Sequence, residues 1–148
     1  MNRINIICLG VRDMAKSLRF YKDIGFRTYE KKDNPPVVFF DTQGTKLELF
    51  PIEQLAKDID ANSPPEISKS GFGGITLAIN LKSENEVDSF METVLKSGGV
   101  LAKKPEKVFW GGYSGYFRDP DGYYWEVAYA GSWQFDDNDM LVIDDNRQ

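Results

Sequence analysis

Residues 117–127 read FRDPDGYYWEV and residues 39–49 read FFDTQGTKLEL, so the pattern F-x-D-x-x-G-x-x-[LW]-E-[LV] occurs twice. The two copies lie at a constant offset of 78 residues, because 117 minus 39 and 126 minus 48 both give 78. In each copy a glycine turn precedes a run in which one glutamate lies between apolar residues, which predicts a hairpin ending in a half-buried strand. A duplicated unit should retain its turn and its strand phase together. The repeat therefore predicts two copies of one supersecondary unit.

The segments around the first copy predict how this unit begins. An apolar run at 4–11 precedes Asp13, which stands where a helix N-cap is expected, and helical periodicity then continues to a stop at Gly25. Three short strand-like runs follow, at residues 27–30, 37–41 and 46–50. The first unit is therefore predicted to be βαβββ.

The same order returns around the second copy. An apolar run at 74–81 leads to a capping box formed by Ser83 and Glu86, and the helical stripe after it ends at Gly98. Three strand-like runs follow, at residues 100–103, 113–118 and 124–129. This second βαβββ unit places the protein in the α+β class.

We predict a single domain spanning residues 1–148. Its parts are a first module at 4–51, a linker at 52–73 with a short helix at 53–59, a second module at 74–130 and an acidic C-terminal tail at 131–148.

Composition and charge exclude several classes of function. The chain has no histidine, so no triad, dyad or zinc site that needs imidazole is available. Its net charge of -5 disfavours nucleic acid and anionic lipid as partners, and no apolar run is long enough to span a membrane. The single cysteine, Cys8, cannot form an intramolecular disulfide, and the N-terminus lacks the form of a signal peptide. We therefore expect a cytoplasmic protein.

Three segments resemble the vicinal oxygen chelate superfamily, which includes glyoxalase I, extradiol dioxygenases, fosfomycin-modifying enzymes and bleomycin-binding proteins. The run ICLGVRD at 7–13, with the helix after it, is similar to the opening of that fold. DPDG at 119–122 with WEV at 125–127 is similar to its closing hairpin, and FWGGYSGYF at 109–117 resembles a glyoxalase-like subgroup. The resemblance implies the glyoxalase/bleomycin resistance/dihydroxybiphenyl dioxygenase fold, in which two βαβββ modules form a curled mixed-sheet cup.

The resemblance also implies where metal ligands would stand, namely on the first and fourth strands of each module. The fourth-strand positions hold Glu48 and Glu126, whereas the first-strand positions fall on Ile6 and Gly74, which cannot bind a metal. Two carboxylates alone would hold a divalent ion weakly. We therefore expect no metal and no cofactor.

The candidate site follows from strand alternation, because the phase set by Glu48 and Glu126 decides which side chains share their face. These two glutamates are the catalytic candidates, either as a proton-transfer pair or as inherited carboxylates held by Lys46 or backbone N–H groups. The ligand-binding candidates are Ile6, Cys8, Phe50, Gly74, Thr76, Trp110, Tyr113 and Tyr124, with Tyr116 as a further aromatic. The glycines after Trp110 form either a lid or a plain bend, and the run at 119–122 is interpreted as a turn.

Three functional hypotheses remain open at this stage. The first is a metal-free protein that binds a small apolar or aromatic molecule in the cup, with a cationic ligand and drug sequestration as specific forms. The second is a lyase or isomerase of the glyoxalase I type that uses Glu48 or Glu126 to move a proton. The third is a dimerisation module whose cup is filled by its own side chains. Homodimerisation is expected because paired-module members of this fold commonly associate and because Trp133 and Phe135 need cover; the alternative is that these two aromatics pack onto their own chain.

Overall fold

A computed structural model describes residues 1–69 and 71–143. In chain order the elements are β1 (Ile6–Val11), α1 (Met14–Asp23), β2 (Val38–Phe40), β3 (Lys46–Pro51), α2 (Ile52–Ile59), β4 (Thr76–Asn80), α3 (Glu84–Lys96), β5 (Val100–Lys107), β6 (Tyr113–Arg118) and β7 (Tyr124–Tyr129). The expected α+β class and the short helix after the first module are confirmed.

The strands form two mixed sheets of the same design. The first has the order β1-β3-β2 and the second the order β4-β7-β6-β5. In both sheets the opening strand of the module pairs in parallel with its closing strand, and the other pairs are antiparallel. This register places Cys8 opposite Glu48 and Ala78 opposite Glu126, so the two glutamates occupy equivalent positions.

The strand predicted at 27–30 is not formed. The segment is held against β2 by two hydrogen bonds. The Asp41 backbone N–H donates to the Arg27 carbonyl at 2.8 Å, and the Thr28 hydroxyl donates to the Phe39 carbonyl at 2.7 Å. The Glu30 carboxylate then accepts the backbone N–H groups of the two residues after it, at 2.8 and 2.7 Å. Those N–H groups are therefore hydrogen-bonded to a nearby side chain instead of to a neighbouring strand. The first module is βαββ.

The strand register of β2 is shifted by one residue relative to its counterpart β6 in the second copy of the repeat. The alignment equates Phe39 with Phe117, yet Phe39 is 50% exposed and lies opposite Glu48, whereas Phe117 is fully buried. Phe40, which is 1% exposed, takes the buried place. Because side chains alternate along a strand, a shift of one residue in the hairpin register reverses the face of each side chain.

Local capping signals define both long helices. The Asp13 side chain accepts the backbone N–H of Lys16 at 3.0 Å, and Gly25 follows α1 with a φ of 105°. The Ser83 hydroxyl accepts the backbone N–H of Glu86 at 3.1 Å, and Gly98 follows α3 with a φ of 99°. These contacts satisfy amide groups that a helix end leaves free.

The two modules share one core on the side of the sheets covered by α1 and α3. The Tyr21 ring lies 5.9 Å from Trp125, and the Phe20 ring lies 6.2 Å from Phe117. Helix α1 of the first module therefore packs on the second sheet as well as its own.

Asp119 forms the buried polar contact of this junction and is 3% exposed. Its carboxylate accepts the Tyr21 hydroxyl at 2.5 Å and the backbone N–H groups of Asp121 and Tyr123 at 3.0 and 2.9 Å. The Tyr21 hydroxyl in turn accepts the indole N–H of Trp125 at 3.2 Å. Burial raises the pKa of Asp119 to about 6, although its hydrogen bonds act in the opposite direction.

Asp121 adds a second set of bonds between the modules. Its carboxylate accepts the Ser17 hydroxyl at 2.7 Å and the backbone N–H of Arg12 at 2.8 Å. The Tyr123 hydroxyl donates to the Gly10 carbonyl at 2.8 Å. The run at 119–122 is therefore a turn, as the sequence predicted, and it also joins the modules.

The chain after β7 crosses from the second module towards the first. Trp133 stacks on Trp110 with ring centroids 5.8 Å apart, and Phe135 pairs with Leu141 across a tight turn. A Cβ atom at Gly44 would lie 2.9 Å from Cε of Met140, so Met140 packs on the β2–β3 turn. Of the tail predicted at 131–148, residues 144–148 lie outside the described part.

Candidate functional site

Each sheet has a second face that α1 and α3 do not cover, here called its open face. On β3, Leu47 and Leu49 are 4% and 0% exposed and enter the core, while Glu48 between them is half-buried on the other side. On β7, Trp125 and Val127 are buried in the same way around Glu126. This is the phase that the alternation predicted, so each open face carries one glutamate.

The Glu48 face is the open face of the first sheet. It consists of Ile6, Cys8, Phe39, Lys46, Glu48 and Phe50. The pKa of the Cys8 thiol is raised to about 12, first by burial and then by the charge of Glu48 and a hydrogen bond to it. A thiol with that pKa stays protonated at neutral pH, so Cys8, which lies opposite Glu48, is not a thiolate nucleophile.

Lys46 does not hold Glu48, so that alternative from the sequence is wrong. Its ammonium group lies 2.9 Å from the Asp41 carboxylate and donates to the Thr42 carbonyl at 2.6 Å. Helix α2 covers one end of this face, since a Cβ atom at Gly10 would lie 2.7 Å from Cγ1 of Ile52.

The Glu126 face is the open face of the second sheet. It includes Thr76, Ala78, Tyr116, Arg118, Tyr124 and Glu126, with Phe72 packed edge-on against Tyr124 at 5.6 Å between ring centroids. Tyr116 lies directly opposite Glu126. The pKa of Tyr116 is raised, first by burial and then by the charge of Glu126 and a hydrogen bond to it. The phenol therefore stays neutral at physiological pH beside Glu126.

The remaining predicted site residues lie elsewhere. Tyr113 shares the strand phase of Phe117, and its hydroxyl donates to Asp88 on α3 at 2.9 Å, so it lies on the helix side and not in the site. Trp110 is held at the strand ends by its stack on Trp133. Gly74 precedes β4 with a φ of 83°, a conformation that favours glycine, and it is exposed.

The donor set does not fit the metal that the resemblance implies. The positions inferred for its first-strand ligands hold Ile6 and Gly74, and each carboxylate has a neighbouring donor of its own. Over residues 1–69 and 71–143, no three Cys, Asp or Glu side chains converge as a metal site would require. Glu48 lies on the sheet β1-β3-β2 and Glu126 on the sheet β4-β7-β6-β5, and the bonds between the modules lie on the helix side.

Phe39 and Phe72 are the face residues that sequence reasoning missed. The repeat equates Phe39 with the buried Phe117, and only the hairpin register shows that Phe39 lies on the Glu48 face. Phe72 lies before the strand begins, where alternation gives no information. The exposed fraction of Phe72, 64%, shows that it stands at the edge of the face.

Two α+β modules with open, partly apolar faces define a small, two-module protein of the glyoxalase-like class. The sequence profile of the Glyoxalase/Bleomycin resistance protein/Dioxygenase superfamily matches residues 3–127, and the chain belongs to this superfamily.

Known relatives agree with this assignment. The chain is 33% identical over 128 residues to the metallothiol transferase FosB of Shouchella clausii (strain KSM-K16), covering 86% of this chain and 80% of that protein. It superimposes on a glyoxalase-related enzyme from Fulvimarina pelagi with a TM-score of 0.86 and 28% identity, covering 97% of this chain and 99% of the other. A lactoylglutathione lyase from Agrobacterium tumefaciens gives a TM-score of 0.65 and 26% identity over 92% of this chain and 99% of the other. These structures confirm the fold expected from the sequence.

In the described ranges, no helix has the length and apolar character needed to cross a membrane.

Proposed function

We propose that this protein binds a small apolar or aromatic molecule on its open faces without a metal ion. The observation that carries the proposal is the composition of these faces, which combine uncovered apolar side chains with a carboxylate. Ile6 and Phe39 are 46% and 50% exposed, so the chain does not fill this surface with its own side chains. That exposure argues against the third hypothesis, a cup packed by the protein itself. Sequestration of a drug is a specific form of the proposal and accords with the superfamily's description.

A ligand screen followed by thermal denaturation tests this proposal. We expect small aromatic compounds to raise the melting temperature, because a ligand that binds only the folded state stabilises it. EDTA should leave the melting temperature unchanged, and zinc, nickel, iron and manganese should be substoichiometric in the purified protein. About one tightly held ion per chain would contradict the metal-free proposal.

The second candidate is a lyase or isomerase, and one feature of both faces favours it. Cys8 and Tyr116 each place a proton donor beside a glutamate, an arrangement that could exchange a proton with a bound substrate. One structural relative is called a lactoylglutathione lyase. Tight metal binding together with catalytic turnover would favour this candidate over simple binding.

We further propose that the cup is completed by a second copy, so that the protein is a cytoplasmic homodimer. Within one chain the two open faces belong to different sheets, and the shared core joins the modules on the helix side. If the Glu48 face of one copy met the Glu126 face of its partner, both carboxylates would line one cavity. Burial of the exposed apolar side chains would supply the driving force for this association.

Light scattering at micromolar concentration tests the dimer. We expect about twice the chain mass of 16.9 kDa, and Phe39→Lys should shift the protein towards monomer because Phe39 is uncovered in one chain. Tyr29→Lys is the control, since Tyr29 is 86% exposed and lies outside both faces. A monomer mass for the unmodified protein would refute the proposal.

A further inference from the structure

The two open faces differ in one pair of residues at equivalent positions. On the first sheet, Lys46 of β3 forms an ion pair with Asp41, the residue that follows β2, at 2.9 Å. The position of β7 that corresponds to Lys46 holds Tyr124, and the strand register places Arg118 opposite it. The second sheet therefore has a phenol and an arginine where the first has a closed ion pair.

The positive charge of Arg118 is available to a ligand. In the described part of the chain its guanidinium group forms no ion pair or hydrogen bond, and the residue is exposed. Lys103, the other cation on this face, lies opposite Tyr116 and is paired with Glu106 at 3.3 Å. A ligand can therefore bind Arg118 without breaking an ion pair, whereas Lys103 already has a carboxylate partner.

The negative charge of Glu126 lies diagonally across the strands from Arg118. Glu126 is opposite Tyr116, and Arg118 comes two residues after Tyr116 on the same strand, so both charges are on one face. Diagonal neighbours on a sheet face are roughly 7 to 8 Å apart. Among the residues that the structure places, no ion pair joins Glu126 to Arg118 or to another cation. The face thus presents two opposite charges side by side, and neither neutralises the other.

The surroundings of these two charges favour a ligand that is neutral as a whole. The two cations of the face, Lys103 and Arg118, balance the carboxylates of Glu106 and Glu126. A ligand with a single charge would be attracted by one of the two unpaired groups and repelled by the other, which reduces the net gain. Beside both groups lies the ring of Tyr124, extended by the edge-on contact with the Phe72 ring at 5.6 Å, and this surface suits an aromatic group.

We propose that the Glu126 face is a subsite for an aromatic zwitterion, whose carboxylate binds Arg118, whose ammonium group binds Glu126 and whose ring packs against Tyr124. The proposal rests on the proposed function, because it assumes that ligands use the open faces, and it names the chemical class that one of them selects. A guanidinium group binds a carboxylate through paired N–H donors, and a carboxylate accepts the N–H donors of an ammonium group. The first sheet lacks this combination, because its cation is already in an ion pair.

Calorimetric titration at neutral pH with three compounds of one carbon skeleton tests the inference. Phenylalanine carries both charges, 2-phenylethylamine lacks the carboxylate, and 3-phenylpropanoate lacks the ammonium group. We expect phenylalanine to bind at least about tenfold more tightly than either analogue, because each charged group adds hydrogen bonds of its own. Arg118→Gln should remove the preference over 2-phenylethylamine, and Glu126→Gln should remove the preference over 3-phenylpropanoate.

The matched controls are Arg19→Gln on α1 and Glu92→Gln on α3, which make the same charge changes at exposed positions on the helix side. Both should retain the two preferences, and unchanged melting temperatures would show that each variant is folded. The comparison of the three compounds on the unmodified protein needs no variant at all.

Equal affinity for the three compounds, tighter binding of a singly charged analogue, or binding of none would overturn the zwitterion subsite. Preferences that persist in both Arg118→Gln and Glu126→Gln would place the ligand elsewhere and also overturn it. The proposed function would still stand if other aromatic compounds raised the melting temperature, so the two failures are distinguishable.

Discussion

Replacing Phe117 by alanine is expected to lower the free energy of unfolding by about 3 to 5 kcal/mol, the usual cost of removing a buried phenylalanine. The Phe117 side chain is fully buried, stacks on Trp125 at 6.1 Å and contacts Phe20 of the other module. Its removal leaves a cavity at the junction of the modules, where sheet and helices cannot readily close the space. Urea denaturation monitored by tryptophan fluorescence measures the loss.

The matched variants for this prediction are the two neighbouring phenylalanines of β2. Phe40→Ala should cost nearly as much as Phe117→Ala, because Phe40 is 1% exposed. At protein concentrations low enough to keep the chain monomeric, Phe39→Ala should cost less than about 1 kcal/mol, because its side chain is half-exposed on the Glu48 face. If Phe39→Ala were the costly change and Phe40→Ala the mild one, the register of β2 described above would be wrong.

Replacing Asp119 by alanine is expected to lower the free energy of unfolding by about 2 to 4 kcal/mol at neutral pH. Alanine leaves the Tyr21 hydroxyl and the backbone N–H groups of Asp121 and Tyr123 without their buried acceptor. Part of this loss is offset, because burial already disfavours the charged carboxylate and raises its pKa to about 6. Equilibrium denaturation at pH 7 measures the net change.

Asp41→Ala provides the control for Asp119, since the repeat places Asp41 at the equivalent position of the first module. Asp41 lies at the surface and is paired with an equally exposed Lys46, so its loss should leave stability almost unchanged. Asp119→Asn keeps one acceptor oxygen and should be milder than Asp119→Ala. Equal effects of Asp41→Ala and Asp119→Ala would show that the buried bonds of Asp119 do not stabilise the junction.

Much of the fold could be predicted because its signals are local. Asp13 and Ser83 identify the helix starts by side-chain caps, and Gly25 and Gly98 identify the stops by their positive φ. The glutamates of the repeat fix the phase of β3 and β7 because each stands between buried neighbours. These features depend only on residues within a few positions of one another, which a single sequence displays directly.

The features that the sequence did not predict depend on strand pairing and on contacts between residues far apart in the chain. Phe39 and Phe40 are both phenylalanines, so composition cannot decide which of them faces the core, and the hairpin register alone makes the choice. The sequence allowed Tyr113 to line the ligand site with the other aromatic residues, but its hydroxyl donates to Asp88 on α3, on the helix side of the sheet. The residue opposite Glu126 could not be predicted for the same reason, because Tyr116 takes that place only when β6 and β7 pair.

The bonds that fasten α1 to the turn at 119–122 join positions far apart in the chain. The acceptor of the Tyr21 hydroxyl, Asp119, comes 98 positions later in the chain, and the acceptor of the Arg12 amide, Asp121, comes 109 positions later. At about 5 to 20 residues per second, a ribosome needs roughly 5 to 20 s to supply them. During that interval the nascent first module exposes the aromatic side of α1 to water, so the newly made chain depends on its own later half, or on a chaperone, to cover it.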